Sequence, residues 1–297
     1  MQAHTLILST LVAILVSLFL VGCEENVSPV VPTERVFTMW GFLDPTVTGQ
    51  KARVFRIEPV LEPTRPEPLG ATMAVTDVAS GQMTVWRDSL ILFPDGFYGH
   101  VYQASQEIGF DREYLVELET PEGLASSVLV RTPPETSPEL SEIQNVRFNV
   151  KFRVRWNRAP QLLDLKVRYH VGFRSRGSSG AFTSGVVTLQ TGAVETASDG
   201  TPVTLIEPTA DLGTILQMLN LQAGRDEMTL DSITVAPFVA SDEWRSPTGS
   251  FDAEVLVQPG TLSNVENGFG FFGAGFEDAF VVHLPDDAVE NAGFTIR

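Results

Sequence analysis

Two stretches alternate strictly between apolar and polar side chains. Val146, Phe148, Val150, Phe152, Val154 and Trp156 interleave with Arg147, Asn149, Lys151, Arg153 and Arg155. Shortly after, Leu163, Leu165, Val167, Tyr169, Val171 and Phe173 interleave with Asp164, Lys166, Arg168, His170 and Arg174. Successive side chains of a strand point to opposite faces, so a period of two sorts each stretch into a core face and a water face. A helix, with its longer period, cannot do this. The chain must therefore build sheets that each bury one side.

The rest of the chain reads the same way. Strands are expected over 35–43, 51–57, 71–78, 83–93, 97–102, 113–119 and 125–131, separated by turn signals such as Asp44-Pro45, Ser80-Gly81, Pro94-Asp95-Gly96 and Pro121-Glu122-Gly123. A Pro-rich insertion, 58–68, interrupts the series. Seven short strands at this spacing imply an immunoglobulin-like β-sandwich over 35–132. Thr132-Pro133-Pro134-Glu135-Thr136-Ser137-Pro138 then reads as a linker, because proline removes a ladder donor. The linker is placed at 133–141, with a second, β-rich domain over 142–297. In that domain Gly177-Ser178-Ser179-Gly180 is a turn, and 181–190, 228–239 and 276–284 read as strands. Leu212, Ile215, Leu216 and Leu219 have helical spacing, with Thr209 or Asp211 placed to cap one short helix and Gly224 beyond its end. No internal repeat of fixed period is visible. The fold class is all-β with two domains.

The N-terminus carries a different signal. Leu6 to Val21 is apolar except for Ser9, Thr10 and Ser17. That run is short for a membrane span, which needs about 20 residues, and fits the apolar core of a signal peptide. It ends in Leu20-Val21-Gly22-Cys23, which looks like a lipobox: cleavage between Gly22 and Cys23, lipid on the Cys23 thiol. The segment before the core has His4 but no Lys or Arg, a departure from the usual positive start. The alternative is an N-terminal membrane helix ending in an ordinary cysteine. Residues 1–22 are thus the signal peptide and 23–34 a polar, Pro-punctuated tether. Glu24 and Glu25 beside the lipidated cysteine resemble a surface-export signal, and they equally suit a merely solvated tether.

Cys23 is the only cysteine, so the folded part has neither disulfide nor thiol nucleophile. The formal net charge of −17 argues against nucleic acid as a partner, since nucleic acid attracts basic surfaces. Against that background the basic stripe is unusual. Arg147, Lys151, Arg153, Arg155, Arg158, Lys166, Arg168, Arg174 and Arg176 lie within 145–176 beside one acid, Asp164. If the two alternating strands pair, their polar faces merge into one positive surface. Arg147, Lys151, Arg153, Arg155, Lys166 and Arg168 are then a candidate anion or partner surface, because guanidinium forks suit carboxylate and phosphate. The alternative is an ordinary solvated face paired with Asp199, Glu207, or Asp226 and Glu227.

Other motifs are weaker. Gly268-Phe269-Gly270-Phe271-Phe272-Gly273 fits a dinucleotide pattern but lacks the strand-to-helix context that makes it work. Phe269, Phe271 and Phe272 are either sheet plugs beside turn-forming glycines or a partner loop. His100, His170 and His283 are far apart, without metal-ligand spacing. Asp286, Asp287 and Glu290, and Glu277 with Asp278, form acidic loops but no twelve-residue calcium loop. No cofactor is implied, and no nucleophile elbow is present.

Several segments resemble one family. They are the tether through CEENVSPVVPTERVFTMWGFLDP, then ATMAVTDVASGQMTVW, DGFYGH and REYLVELETPEG, and the closing SNVENGFGFFGAG with its Asn-x-x-x-Gly-x-Gly-x-Phe-Gly pattern. Together they resemble an uncharacterised Bacteroidota-type lipoprotein family, known as domain of unknown function 4249. The resemblance implies a two-domain β protein on the outer membrane, beside a TonB-dependent receptor, and carries no catalytic residues. The expected function is a membrane-anchored, non-enzymatic binding or accessory component of an uptake system. The alternatives are a cell-surface structural or adhesive module, or an enzyme acting on glycans or peptides. The anchor has a direct test: Cys23→Ser should move the protein from the membrane to the soluble fraction, with loss of the acyl mass on the N-terminal peptide.

Overall fold

The computed structural model describes residues 35–57, 67–93, 96, 98–175, 180–244 and 263–296. The signal peptide, the tether, most of the Pro-rich insertion and the turn at 177–179 lie outside them. In the first sandwich, β1 (Phe37–Leu43), β2 (Gly49–Arg56), β3 (Thr72–Asp77), β4 (Met83–Leu92), β5 (Tyr98–Ser105), β6 (Glu113–Glu119) and β7 (Ala125–Arg131) follow the expected series closely. Strand β4 changes sheets midway: Met83–Trp86 pairs with β3, and Arg87–Leu92 pairs with β5. The pairings give one layer ordered β1-β2-β5-β4 and a second ordered β4-β3-β6-β7. In immunoglobulin lettering these are A-B-E-D and C′-C-F-G. The layers close on a core of Phe37, Met39, Met73, Val75, Trp86, Tyr102, Val116 and Leu118. The corner before β6 is tied by Tyr114, whose hydroxyl accepts from the Gly109 amide at 2.7 Å. That is the tyrosine corner of such sandwiches.

The second sandwich repeats the plan. Its strands are β8 (Ser137–Val146), β9 (Asn149–Asn157), β10 (Gln161–Ser175), β11 (Thr183–Leu189), β12 (Ala193–Thr196), β13 (Pro202–Ile206), β14 (Asp226–Ala240), β15 (Gly268–Glu277) and β16 (Phe280–Val282). One layer is β8-β9-β13-β12; the other runs β11-β10-β14, with β15 and β16 on the far side of β14. The lettering is again A-B-E-D and C′-C-F-G. Val150, Phe152, Val154 and Trp156 face Val167, Tyr169, Val171, Ile233 and Val235 across the core. Two helices cover it, α1 (Pro208–Met218) and α2 (Asp286–Ala292).

Four expectations need correction. Residues 137–141, assigned to the linker, are strand: Pro138 sits in β8 opposite Trp156. Proline is tolerated there because β8 is an edge strand. The alternation from Val146 is not one strand, since Arg147 and Phe148 form a two-residue hairpin turn with Phe148 at φ +60° and exposed. Helix α1 opens on Pro208 with no side-chain cap; Asp211 is engaged elsewhere. The acids at 286–287 open a second helix, where they complement its dipole. Gly293 ends it in the left-handed conformation.

Strand β15 joins the sandwiches. Its last residues pair with β14, while Gly268–Ala274 runs parallel to β1 in seven-residue register. It therefore extends the first sandwich beyond strand A, and Phe272 and Ala274 complete that core. On its other edge, Asn264 accepts from the Phe272 amide at 3.0 Å and donates to the Phe272 carbonyl at 2.8 Å. One side chain thus substitutes for a strand's hydrogen bonds. Gly270 has φ +99°, and a Cβ there would lie 2.1 Å from the Met39 carbonyl oxygen. Two predictions follow from this seam, both read by urea unfolding. Gly270→Ala should cost about 2–4 kcal/mol, from backbone strain and displacement of β1. Asn264→Ala should cost about 1–3 kcal/mol, by orphaning the Phe272 backbone groups.

Candidate binding faces

The basic stripe divides. Strand β9 pairs with β8 and β13, and β10 pairs with β11 and β14. The two strands lie in opposite layers with their apolar sides meeting in the core. Their charged sides therefore point away from each other, and the merged positive surface does not form. Each half is also matched by acids. On the β9 side, Lys151 pairs with Glu207, Arg153 with Glu142 (2.8 Å) and Glu195 (3.1 Å), and Arg155 with Asp199. On the β10 side, Lys166 pairs with Asp164 (3.1 Å) and Glu277 (3.3 Å), Arg168 with Glu277, and Arg174 with Glu227 (2.6 Å). Arg147 lies in the hairpin turn with its guanidinium 5.0 Å from the Phe148 ring centre. Three of the acids anticipated as counter-charges, Asp199, Glu207 and Glu227, serve as such.

These pairs shift titration. The Thr201 amide and the Arg155 guanidinium hold Asp199 down at about 2. Burial pushes Glu277 up, but hydrogen bonds from Arg168 and Lys166 outweigh it, so its pKa is lowered. In the first sandwich the Ser80 amide and the Arg112 guanidinium, at 2.7 Å, lower Asp77.

A different cationic face was not read from the sequence. On the outer side of the β1-β2-β5-β4 layer, Lys51, Arg53 and Arg87 are exposed, and none belongs to an ion pair among the described residues. The Arg53 guanidinium stacks on Phe55 at 4.5 Å and Phe93 at 4.1 Å. Trp40 lies across from Arg53 in register, and Phe271 lies across from Trp40. Arg35 stacks on Phe269 at 4.2 Å. At the end of this layer where β1 begins, Leu90, Ile91 and Leu92 are 39%, 41% and 57% exposed. The signal in the sequence was alternation in Lys51-Ala52-Arg53-Val54-Phe55, but only the pairing of β1, β2, β4, β5 and β15 assembles the face.

Phe269, Phe271 and Phe272 do not form a partner loop. They lie in β15, where Phe272 is fully buried and Phe271 is 4% exposed. The glycines between them permit close strand approach instead of turns. Phe271 packs with Trp244, Phe238 and Ala240 in a small aromatic cluster at the junction of the sandwiches.

Several buried polar groups are committed to structure. Tyr169 donates to Asp211 at 2.5 Å and Thr191 donates to the same carboxylate at 2.9 Å, locking α1 onto the second core. Burial and the Asp211 charge push the Tyr169 hydroxyl well above its ordinary range. His100 contacts Asp88 at 2.9 Å, His170 contacts the Thr234 hydroxyl at 2.9 Å, and His283 contacts the Asp231 carbonyl at 3.1 Å. Among the described residues no group of three or more His, Cys, Asp or Glu is arranged to hold a metal, and no helix is long and apolar enough to cross a membrane. The described architecture is a pair of immunoglobulin-like β-sandwiches with minor helical content.

The ion pairs make an acid-side prediction. Asp199 has a depressed pKa, so its contribution is full above the ordinary value of 3.8 and is lost as pH falls through about 2. Asp199→Asn should lower stability at neutral pH and flatten the decline across that window, as followed by thermal unfolding against pH.

No family model matches this chain, and no curated protein does. Among solved structures, the chain is similar to bovine butyrophilin, at 10% identity over 84% of this chain and 99% of that one, with a TM-score of 0.20. It is also similar to the titin domains Z1Z2 in complex with telethonin, at 12% identity over 70% of this chain and 90% of that one, with a TM-score of 0.19. Overlaps this loose carry no argument, and the immunoglobulin-like assignment rests on the strand order of the two sandwiches.

Proposed function

We propose that this chain is a lipid-anchored, non-enzymatic binding or accessory component of an outer-membrane uptake system. It would be held by Cys23 and work beside a TonB-dependent receptor. The observation that carries the reading is the arrangement of chain and body. A lipobox-like sequence ends at Cys23, and the first strand begins at Phe37. Two sandwiches follow, joined through one continuous sheet. Such a body on a short tether holds a protein surface close to the membrane and to whatever transporter lies beside it. The ionisable groups of the second sandwich are largely spent on holding it together, which suits a scaffold better than an active centre. The resemblance to the Bacteroidota-type lipoprotein family supports the same reading, and Glu24 and Glu25 support export to the cell surface.

The test is co-purification of the tagged protein from gently solubilised membranes. A β-barrel transporter recovered in stoichiometric amount is expected. A solitary lipoprotein would remove the uptake role.

A surface structural or adhesive module is the second reading, favoured by one observation. On the outer side of the β4-β3-β6-β7 layer, Met83, Thr76, Leu115 and Leu129 lie side by side in register. Met83 is 61% exposed and Leu129 54%. If this row adheres to neighbouring surfaces, Met83→Lys with Leu129→Lys should abolish adhesion and leave transporter co-purification unchanged. Intact adhesion in that variant would count against the row.

A further inference from the structure

The cationic, aromatic outer face of the first sandwich has an edge of its own. β1 starts there and β2 ends there at Arg56. β4 ends there on Ile91 and Leu92, and β5 begins there at Tyr98. At this rim Ile91, 41% exposed, is the outward apolar residue of β4, while Leu90 and Leu92, at alternate positions, face the other side of the layer. Directly behind Ile91 on the same face, Arg53 lies on Phe55 and Phe93, and Lys51 and Arg87 flank Gln103 in one row of the sheet. Along the outward positions of these strands there is no acid to answer these three cations, although the chain's net charge is −17. An apolar tip backed by aromatic rings and then by Arg and Lys forms the layered chemistry of a membrane interface. There, apolar groups enter the acyl boundary, aromatic rings sit at headgroup depth and cations reach phosphate.

The chain's own connection selects this occupant. The rim is where Arg35 leads into β1, and Cys23 lies only twelve positions before Arg35. Twelve residues span at most about 40 Å when fully extended. A lipid on Cys23 would therefore keep this rim within reach of the bilayer surface.

We propose that the outer face of the β1-β2-β5-β4 layer docks on anionic phospholipid, with Ile91 inserted and Arg53, Lys51 and Arg87 on headgroup phosphates. This rests on the lipid-anchored reading and adds to it an orientation: the first sandwich lies against the membrane and the second is presented outward. Docking would supply a second, weaker membrane contact beside the acyl chains, and that contact would be salt-sensitive.

The chain from Glu24 to Arg297, which retains every described strand, is sedimented with vesicles of phosphatidylglycerol and phosphatidylethanolamine, and with phosphatidylcholine alone. Binding is expected to the anionic vesicles only and to fall at high salt. Ile91→Glu should weaken it about tenfold, and Lys51→Glu with Arg87→Glu should weaken it about as much, given the attraction each cation contributes. All three sites are exposed, so thermal unfolding should be unchanged and a folding defect is excluded by that measurement. Equal sedimentation with both vesicle types, or unweakened binding in both variants, overturns the proposal. So does a dimer in solution that Ile91→Glu converts to monomer, which would assign the rim to a second copy. Mass analysis of Cys23 in the membrane-borne full chain separates the two readings. Acylated Cys23 without vesicle binding overturns the docking face alone, whereas vesicle binding with unacylated Cys23 overturns the anchor and leaves the face standing.

Discussion

The parallel ladder between β1 and β15 holds the two sandwiches in one sheet. It joins the start of the folded chain to a segment more than two hundred residues later, and it works only because the backbones come unusually close. Gly270, in a conformation that side chains avoid, lets the Met39 carbonyl sit where a Cβ would be. Asn264 satisfies the other edge of the same strand through the Phe272 backbone groups. Phe272 then enters the first core while Phe276 enters the second. The Asn-x-x-x-Gly-x-Gly-x-Phe-Gly pattern near the C-terminus, Asn264 to Gly273, acquires a physical meaning here: clamp, close approach, close approach, core plug. It is a pattern for joining domains and not for chemistry.

Charge is distributed in accordance with that frame. The second sandwich is cross-braced by cations on both outer faces, each beside a carboxylate, and such networks lower the cost of exposing two broad sheet faces to water. Single exposed pairs contribute little, but Arg153 and Glu277 each bridge two partners. In the first sandwich Lys51, Arg53 and Arg87 belong to no ion pair among the described residues, and Arg53 lies over the rings of Phe55 and Phe93.

Much of this was legible in the residues. The seven strands of the first sandwich, the core faces of β9 and β10 and helix α1 follow from periodicity and turn chemistry. Misreadings arose where a local rule met a nonlocal one. Phe148 kept the alternation yet belongs to a turn, because a two-residue hairpin preserves the parity of a strand. Pro138 signalled a break yet sits in β8, because an edge strand has no partner for the missing donor. The acids before Ala288 looked like a loop because α2 is only two turns long and gains its stability from packing under the second core. The shared A-B-E-D and C′-C-F-G order of the two sandwiches left no repeat in the residues, since strand order constrains pairing geometry and not side-chain identity.

From the sequence alone came the element types, the side of each strand that seeks the core and the all-β class. These rest on interactions between near neighbours: alternation and turn propensity. Tertiary structure alone decided which strands became neighbours. Period two assigns a side chain to a face but does not say which sheet the face belongs to. The cations of β9 and β10, adjacent in sequence, were therefore turned to opposite surfaces and paired with acids. Lys51, Arg53 and Arg87, scattered in sequence, were gathered into one face by the pairing of β2, β5 and β4.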